Sequence, residues 1–447
     1  MSRINTTNHN LKANLLARPS APKAAAAVAA GAGLGARLDD KVTLSGETRE
    51  TSPNQALKNF AKTYNTKPAE QSVQGERNKI YQNSQGRLAV SGNGNDVFSE
   101  KLSGSADVLG HHNTVSQRGD NSHVTVGDLH DLQESNGNNV RQDGKNSNVS
   151  VNGNYNQEVN VFGDQVTVSV GGDGNRVSTS GNNSTVVTTG DRNKLSSTVQ
   201  NDRLVVEGEA NTVEHRNNNS DHLDTQIAGN SNKVGNQGTD GRLDIRGDGN
   251  TIELEAKGGE VIVNGSKNTV TVANQRGDWQ NPTYDEAGHI SVVGQENEVS
   301  TSGSGGFIKQ VGDHNQADVQ SDGSTVVSRG NQNTVKLNSD SDGSQVGTTG
   351  DRNTVEVNGE DNRVHVGGDK TLQSSDNNIV VNGKKNKVFV NDENLNLTVN
   401  GDGLQVEVRD RQIVAEDSQG YEAKVIKNAD GSYQVRPKTT LEWIGLM

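Results

Sequence analysis

Between Gly294 and Asn338 the chain reads as five consecutive nine-residue units, GQENEVSTS, GSGGFIKQV, GDHNQADVQ, SDGSTVVSR and GNQNTVKLN. Position one is Gly294, Gly303, Gly312, Ser321 and Gly330, and position six is Val299, Ile308, Ala317, Val326 and Val335. Every unit therefore has a turn residue followed five places later by an apolar one. Position four alternates between Asn (Asn297, Asn315, Asn333) and a small residue (Gly306, Ser324), so the true period is eighteen, two units to a turn. Short fixed periods of this kind mark architectures whose units cannot bury an apolar face alone and stack on their neighbours to do so.

In an extended chain, positions six and eight point to one side and positions five, seven and nine to the other. This places Val, Ile and Leu inside, and Thr, Lys, Glu, Gln, Asp and Ser outside. Gly at position one permits the positive φ of a tight corner, and Asp or Asn beside it can hydrogen-bond the turn backbone. Strand, corner, strand, corner make one coil, so the expected fold is all-β, a β-solenoid of the β-helix or β-roll kind with about 18 residues per coil. The signature G-[DNE]-x-N-x-[VI] recurs at Gly172–Val177, Gly247–Ile252 and Gly350–Val355, and at Gly312–Ala317 with Ala last. Glycines follow at nine-residue steps, as in Gly229, Gly238 and Gly247. Asn175, Asn193, Asn211, Asn232, Asn250, Asn268, Asn297, Asn315, Asn333 and Asn353 are expected to stack as a structural ladder along one corner, each amide bonding the coils on either side.

Composition alone would suit a disordered chain: 29% hydrophobic, 3% aromatic and a net charge of −13 over 447 residues. Disorder does not require Val at a nine-residue spacing, whereas a thin solenoid interior does. The absence of Cys excludes disulfides and thiolate metal sites, and the acidic balance argues against nucleic acid as a partner. There is no run of eighteen apolar residues, hence no expected membrane-spanning helix.

Four segments follow. Residues 1–51 read as a disordered leader, whose first part carries Arg3, Lys12, Arg18, Lys23 and Arg37 with no acid before Asp39. Residues 52–84 hold a capping helix and linker: Ser52, Pro53 and Gln55 form a start signal, and Leu57, Phe60, Ala61 and Tyr64 share one face. Residues 85–410 accommodate about eighteen coils, with register interruptions near 199–207, 214–228, 255–264 and 273–293. Residues 411–447 form a C-terminal β cap, with Asp430-Gly431 as a hairpin turn between VIKNA and SYQVR.

The insertion at 273–293 is the candidate ligand contact, through Trp279, Tyr284, Asp285, Glu286 and His289. Loops leaving a solenoid carry recognition, and an aromatic ring beside acids suits a sugar face. No cofactor or metal is expected, and no Ser or Cys nucleophile signature is present; His111-His112 reads as a solvated corner.

Ser91–Ser99, SGNGNDVFS, resembles the RTX calcium-binding nonapeptide at Gly92, Gly94, Asp96 and Phe98, which would imply calcium at Asp96. The main repeats carry Val where that family has Asp, so that Asn at position four takes the place of the metal. The units, as in Gln310–Gln320, are also similar to the Gly/Asn-rich repeats of curlin subunits and to the solenoid stalks of bacterial adhesins. That resemblance implies a secreted or cell-surface structural or adhesive rod, contacting a glycan or cell-surface polymer and capable of self-association. Two other readings stand beside it. One is a polysaccharide lyase or hydrolase of β-helix fold centred on 273–293, and the other a secreted effector, whose first residues resemble type III leaders.

Overall fold

The computed structural model describes residues 41–44 and 47–50, residues 70–408 except 83–85, 101–103, 128–135, 157, 199–200, 202, 222–223, 240, 258, 275–287, 340, 368–373, 391–395 and 401–404, and residues 414–416, 424–427, 433–436, 438–439 and 442. The chain winds as a parallel β-solenoid of about 15 turns of about 18 residues. Eighteen coils are not reached because the insertions consume residues without adding turns. Successive strands alternate between two sheets, one containing Thr167–Gly171 and Thr185–Thr189 (sheet 1), the other Arg176–Ser180 and Lys194–Ser197 (sheet 2).

Coils stack in register, so each position forms a column. In sheet 2 one position-six column runs Val270, Val299, Ala317, Val335, Val355, Ile379, Leu397; in sheet 1 its counterpart includes Val261, Ile290, Ile308, Val326 and Val346. All are buried, and the two columns face each other across the interior. Position eight departs from expectation. It buries Val in many coils, but also Gln117, Gln142, Thr188, Ser197, His215, Thr301 and Ser328. Two of these reach a corner, Gln117 Nε2 donating to Ser122 Oγ at 3.2 Å and Gln142 Nε2 to Ser147 Oγ at 3.2 Å, whereas the polar side-chain atoms of Thr188, His215, Thr301 and Ser328 have no hydrogen-bond partner.

The corners explain the glycines. Gly312, at φ +128°, would place a Cβ 1.9 Å from the carbonyl oxygen of Gly294, and Gly330 a Cβ 2.1 Å from that of Gly312. The glycine column is thus imposed twice, by backbone conformation and by the approach of the neighbouring coil. Two residues later, the third position is also left-handed, and there ordinary side chains serve: Tyr155, Arg192, Ala210, Lys267 and His314 lie at φ 52–59°. Among the described residues, none of the non-glycine residues at positive φ is β-branched, in keeping with the steric cost of that conformation.

At the fourth position the Asn ladder is continuous. Asn78, Asn95, Asn113, Asn138, Asn156, Asn175, Asn193, Asn211, Asn232, Asn250, Asn268, Asn297, Asn315, Asn333, Asn353 and Asn377 are linked in order, the backbone N–H of each donating to the next Oδ1 at 2.7–3.0 Å. The side-chain donors are less uniform. Asn175 Nδ2 donates to Gly172 O at 2.9 Å, while Asn250 Nδ2 donates to Asn268 Oδ1 at 3.1 Å. The opposite corner uses Ser and later Asn in the same role, as in Ser324 N–H to Ser344 Oγ and Asn362 N–H to Asn386 Oδ1.

Strands 203–207 and 260–264 keep register, so the interruptions expected at 199–207 and 255–264 do not exist. Those near 214–228 and 273–293 do, and the step from Asn113 to Asn138 spans a further one at 128–135. Gly238, expected at a corner, lies inside the strand Lys233–Thr239, paired with Ala256. At the N-terminal end, Lys41–Leu44 and Glu47–Glu50 form an antiparallel pair, the first also lying antiparallel on Gln71–Gln74 of sheet 1. These strands fall inside the stretch read as leader. At the other end, Lys424–Lys427 pairs antiparallel with Tyr433–Arg436, which lies on Gln405–Val408 of sheet 1. The helix expected at 52–64 lies outside the described residues.

Candidate functional site

Position seven on the outer face of sheet 2 forms the column Glu214, Gly235, Glu253, Thr271. Gly235 contributes no side chain between two rows of glutamate, and a groove of about 460 Å³ opens there, lined by Glu214, Arg216, Lys233, Glu253, Glu255 and Thr271. This glycine is not required by the fold. Its φ is not positive, and a Cβ would meet only the Val213 carbonyl oxygen, at 4.0 Å.

The groove is polar and its charges are ordered by ion pairs along the columns. Lys194 Nζ lies 3.2 Å and Arg216 3.3 Å from Glu214, and Lys233 Nζ lies 3.3 Å from Glu253. Such exposed pairs contribute about 0–1 kcal/mol each to stability, but they fix the side chains that frame the groove. Below the surface, the His215 ring is buried with neither nitrogen hydrogen-bonded, and burial lowers its pKa to about 4.

The stretch expected to carry recognition begins in this part of the chain. The strand Thr269–Asn274 lines the groove with Thr271 and Ala273 and ends directly before residues 275–287. Trp279, Tyr284, Asp285 and Glu286 lie outside the described residues. His289 opens the strand His289–Val293 on the outer face of sheet 1, its ring 5.7 Å from that of Phe307, and so is not brought to the groove on sheet 2. Gly235 could not be picked out from the sequence, because in a chain punctuated by glycine it reads as one more turn residue.

The RTX-like segment differs from its resemblance in parity. Val97 and Ser99 point inward, while Phe98, at the family's buried apolar place, faces outward and stacks on Tyr81 at 5.2 Å. Asp96 stands on the outer strand face between Lys79 and Thr114, away from the corner carbonyls that calcium would need. Among the described residues no group of three or more His, Asp or Glu is placed to hold a metal ion. His111 and His112 occupy a corner, with the backbone N–H of Asn136 donating to His111 Nδ1 at 3.1 Å. Among the described residues no helix is long and apolar enough to cross a membrane. No protein-family model matches the chain, and neither a curated protein nor a solved structure matches it.

Proposed function

We propose that this protein is an exported structural and adhesive rod, which holds a glycan or other cell-surface polymer at the groove around Gly235 and through Trp279 and Tyr284. The carrying observation is the bond from the Asn268 N–H to Asn297 Oδ1, 2.9 Å long, across a coil of 29 residues. The same bond closes coils of 18 residues at 2.7–3.0 Å, so the longer coil keeps the stack undisturbed at this corner. A scaffold of this kind displays contacts at fixed heights, and an acidic, hydroxyl-bearing groove in a chain that also carries Trp279 and Tyr284 suits a polymer rich in hydroxyls.

Binding of the full chain to purified polysaccharides and to intact cells tests this reading. Trp279→Ala and Gly235→Leu should each abolish retention while leaving the melting temperature in place; retention unchanged in both would overturn it.

The three glutamates of the groove, together with Asp285 and Glu286 in the insertion, favour a second reading, a lyase or hydrolase acting on the same polymer. It requires product release from the polysaccharide that is lost in Asp285→Ala and Glu286→Ala. Against it, Glu214 and Glu253 are each met by a basic partner, as in a surface ion-pair row.

A further inference from the structure

A second depression, four coils nearer the N-terminus on the same outer face, contains polar groups with unused hydrogen-bonding capacity. Tyr155 occupies the third position of its corner, at φ 52°, and is the most exposed large hydrophobic side chain among the described residues, at 61%. Its ring is nevertheless fixed. It lies on Gly174 of the next coil, where a Cβ would come within 2.6 Å of the ring, and its backbone N–H donates to Asp173 O at 2.7 Å. Beside it, Asn139, Glu158 and Arg176 open three neighbouring strands of sheet 2. With Tyr155, Asn156 and Gly174 they line a cavity of about 530 Å³.

Three of these groups have unused capacity. Asn139 Oδ1 is buried and accepts no hydrogen bond. The Arg176 guanidinium makes no ion pair or hydrogen bond to any described residue, whereas Lys194, next in the column, is paired to Glu214 at 3.2 Å. Glu158 takes one donor, Asn160 Nδ2 at 2.9 Å, which leaves most of its acceptor capacity open.

We infer that this depression is a saccharide-binding subsite for a neutral oligosaccharide. The apolar C–H face of a sugar ring stacks on the exposed Tyr155 ring, its hydroxyls donate to Glu158, and Arg176 donates to a ring or hydroxyl oxygen. The volume falls within the roughly 300–1,000 Å³ of small-ligand sites. A purely apolar partner would leave Glu158 and Arg176 unsatisfied, and with one acid and one base the site has no net charge to select a charged polymer. The inference rests on the reading of the chain as a glycan-contacting rod and adds to it a second contact.

The test is titration calorimetry of the full chain with cellotriose, maltotriose, laminaritriose and chitotriose. Binding of at least one is expected, weakened at least about tenfold in Tyr155→Ala and in Arg176→Ala, and retained in Tyr155→Phe. Tyr155 is exposed, so its replacement should leave the melting temperature unchanged, and that is measured alongside. Binding that survives Tyr155→Ala within twofold, or is lost only in Gly235→Leu, overturns this site and leaves the rod reading standing. Binding of none of the four overturns the subsite, and if polysaccharides and cells are not bound either, the rod reading falls with it.

Discussion

Asn175 and Asn193 are joined by a bond in which the backbone N–H of the first donates to Oδ1 of the second at 2.7 Å, and both side chains are buried. Two residues before them in the same corners, Asp173 and Asp191 are joined in the opposite sense: the later residue's N–H donates to the earlier one's Oδ1 at 2.9 Å. The corner thus carries two ladders of opposite polarity, an inner one reaching back and an outer one reaching forward.

The inner ladder should dominate stability. Asn297→Ala removes the acceptor of the Asn268 N–H and the donor that Asn297 Nδ2 gives to Asn315 Oδ1 at 3.0 Å, all in buried surroundings. We expect a loss of about 2–4 kcal/mol in urea denaturation. Asp248→Ala, on the exposed outer ladder, removes the acceptor of the Ser266 N–H but leaves that donor open to water, and should cost under about 1 kcal/mol.

Corner glycines and third-position residues should respond in opposite directions. Gly312→Ala drives a Cβ into the Gly294 carbonyl and should cost about 3 kcal/mol or more. Ala210→Gly relieves a non-glycine residue at φ 55° and should stabilise by about 0.5–1 kcal/mol. Paired melting curves of the two variants decide it.

Acid should weaken the solenoid through His215. Its folded pKa of about 4 lies below the unfolded value of about 6.5, so as pH falls the unfolded chain takes the proton first. The neutral ring therefore costs nothing above about pH 6.5, and stability is lost progressively as pH falls towards 4. Comparing urea midpoints at pH 7 and near pH 4.5, wild type should lose about 2–3 kcal/mol more than His215→Leu.

Gly235 offers a substitution that separates fold from function. A Cβ there meets nothing closer than 4.0 Å, and a strand glycine costs about 0.5–1 kcal/mol relative to alanine. Gly235→Val should therefore raise the melting temperature slightly while filling the groove and abolishing polymer retention.

The solenoid was legible because its two strongest constraints each demand one residue type. Only glycine fits beneath the neighbouring carbonyl, and the buried fourth position of the Asn corner recurs as asparagine, so both leave a visible period. The left-handed third position was not legible, because Arg, Tyr, His, Lys and Ala all occupy it at moderate cost. Nor was the mixed interior: Gln117 and Gln142 look solvent-facing until their reach to Ser122 and Ser147 is seen. At the candidate site, the insertion showed as a break in spacing. The groove did not, since it is made by the missing side chain of Gly235. Tyr155 and Arg176 were equally hidden, being ordinary members of their columns whose significance lies in the partners they do not have.

The paired ladders also give the stack a direction of assembly. A coil such as that of Asn175 and Asp173 presents to the next an unfilled Asn backbone donor on the inside and an unfilled carboxylate acceptor on the outside, which Asn193 and Asp191 fill. The arriving coil fills both and recreates the same two vacancies one step further along. A chain delivered N-terminus first, through a ribosomal tunnel or a secretion pore, can therefore fold as it emerges, each finished turn acting as the template for its successor, with no need to wait for the C-terminus.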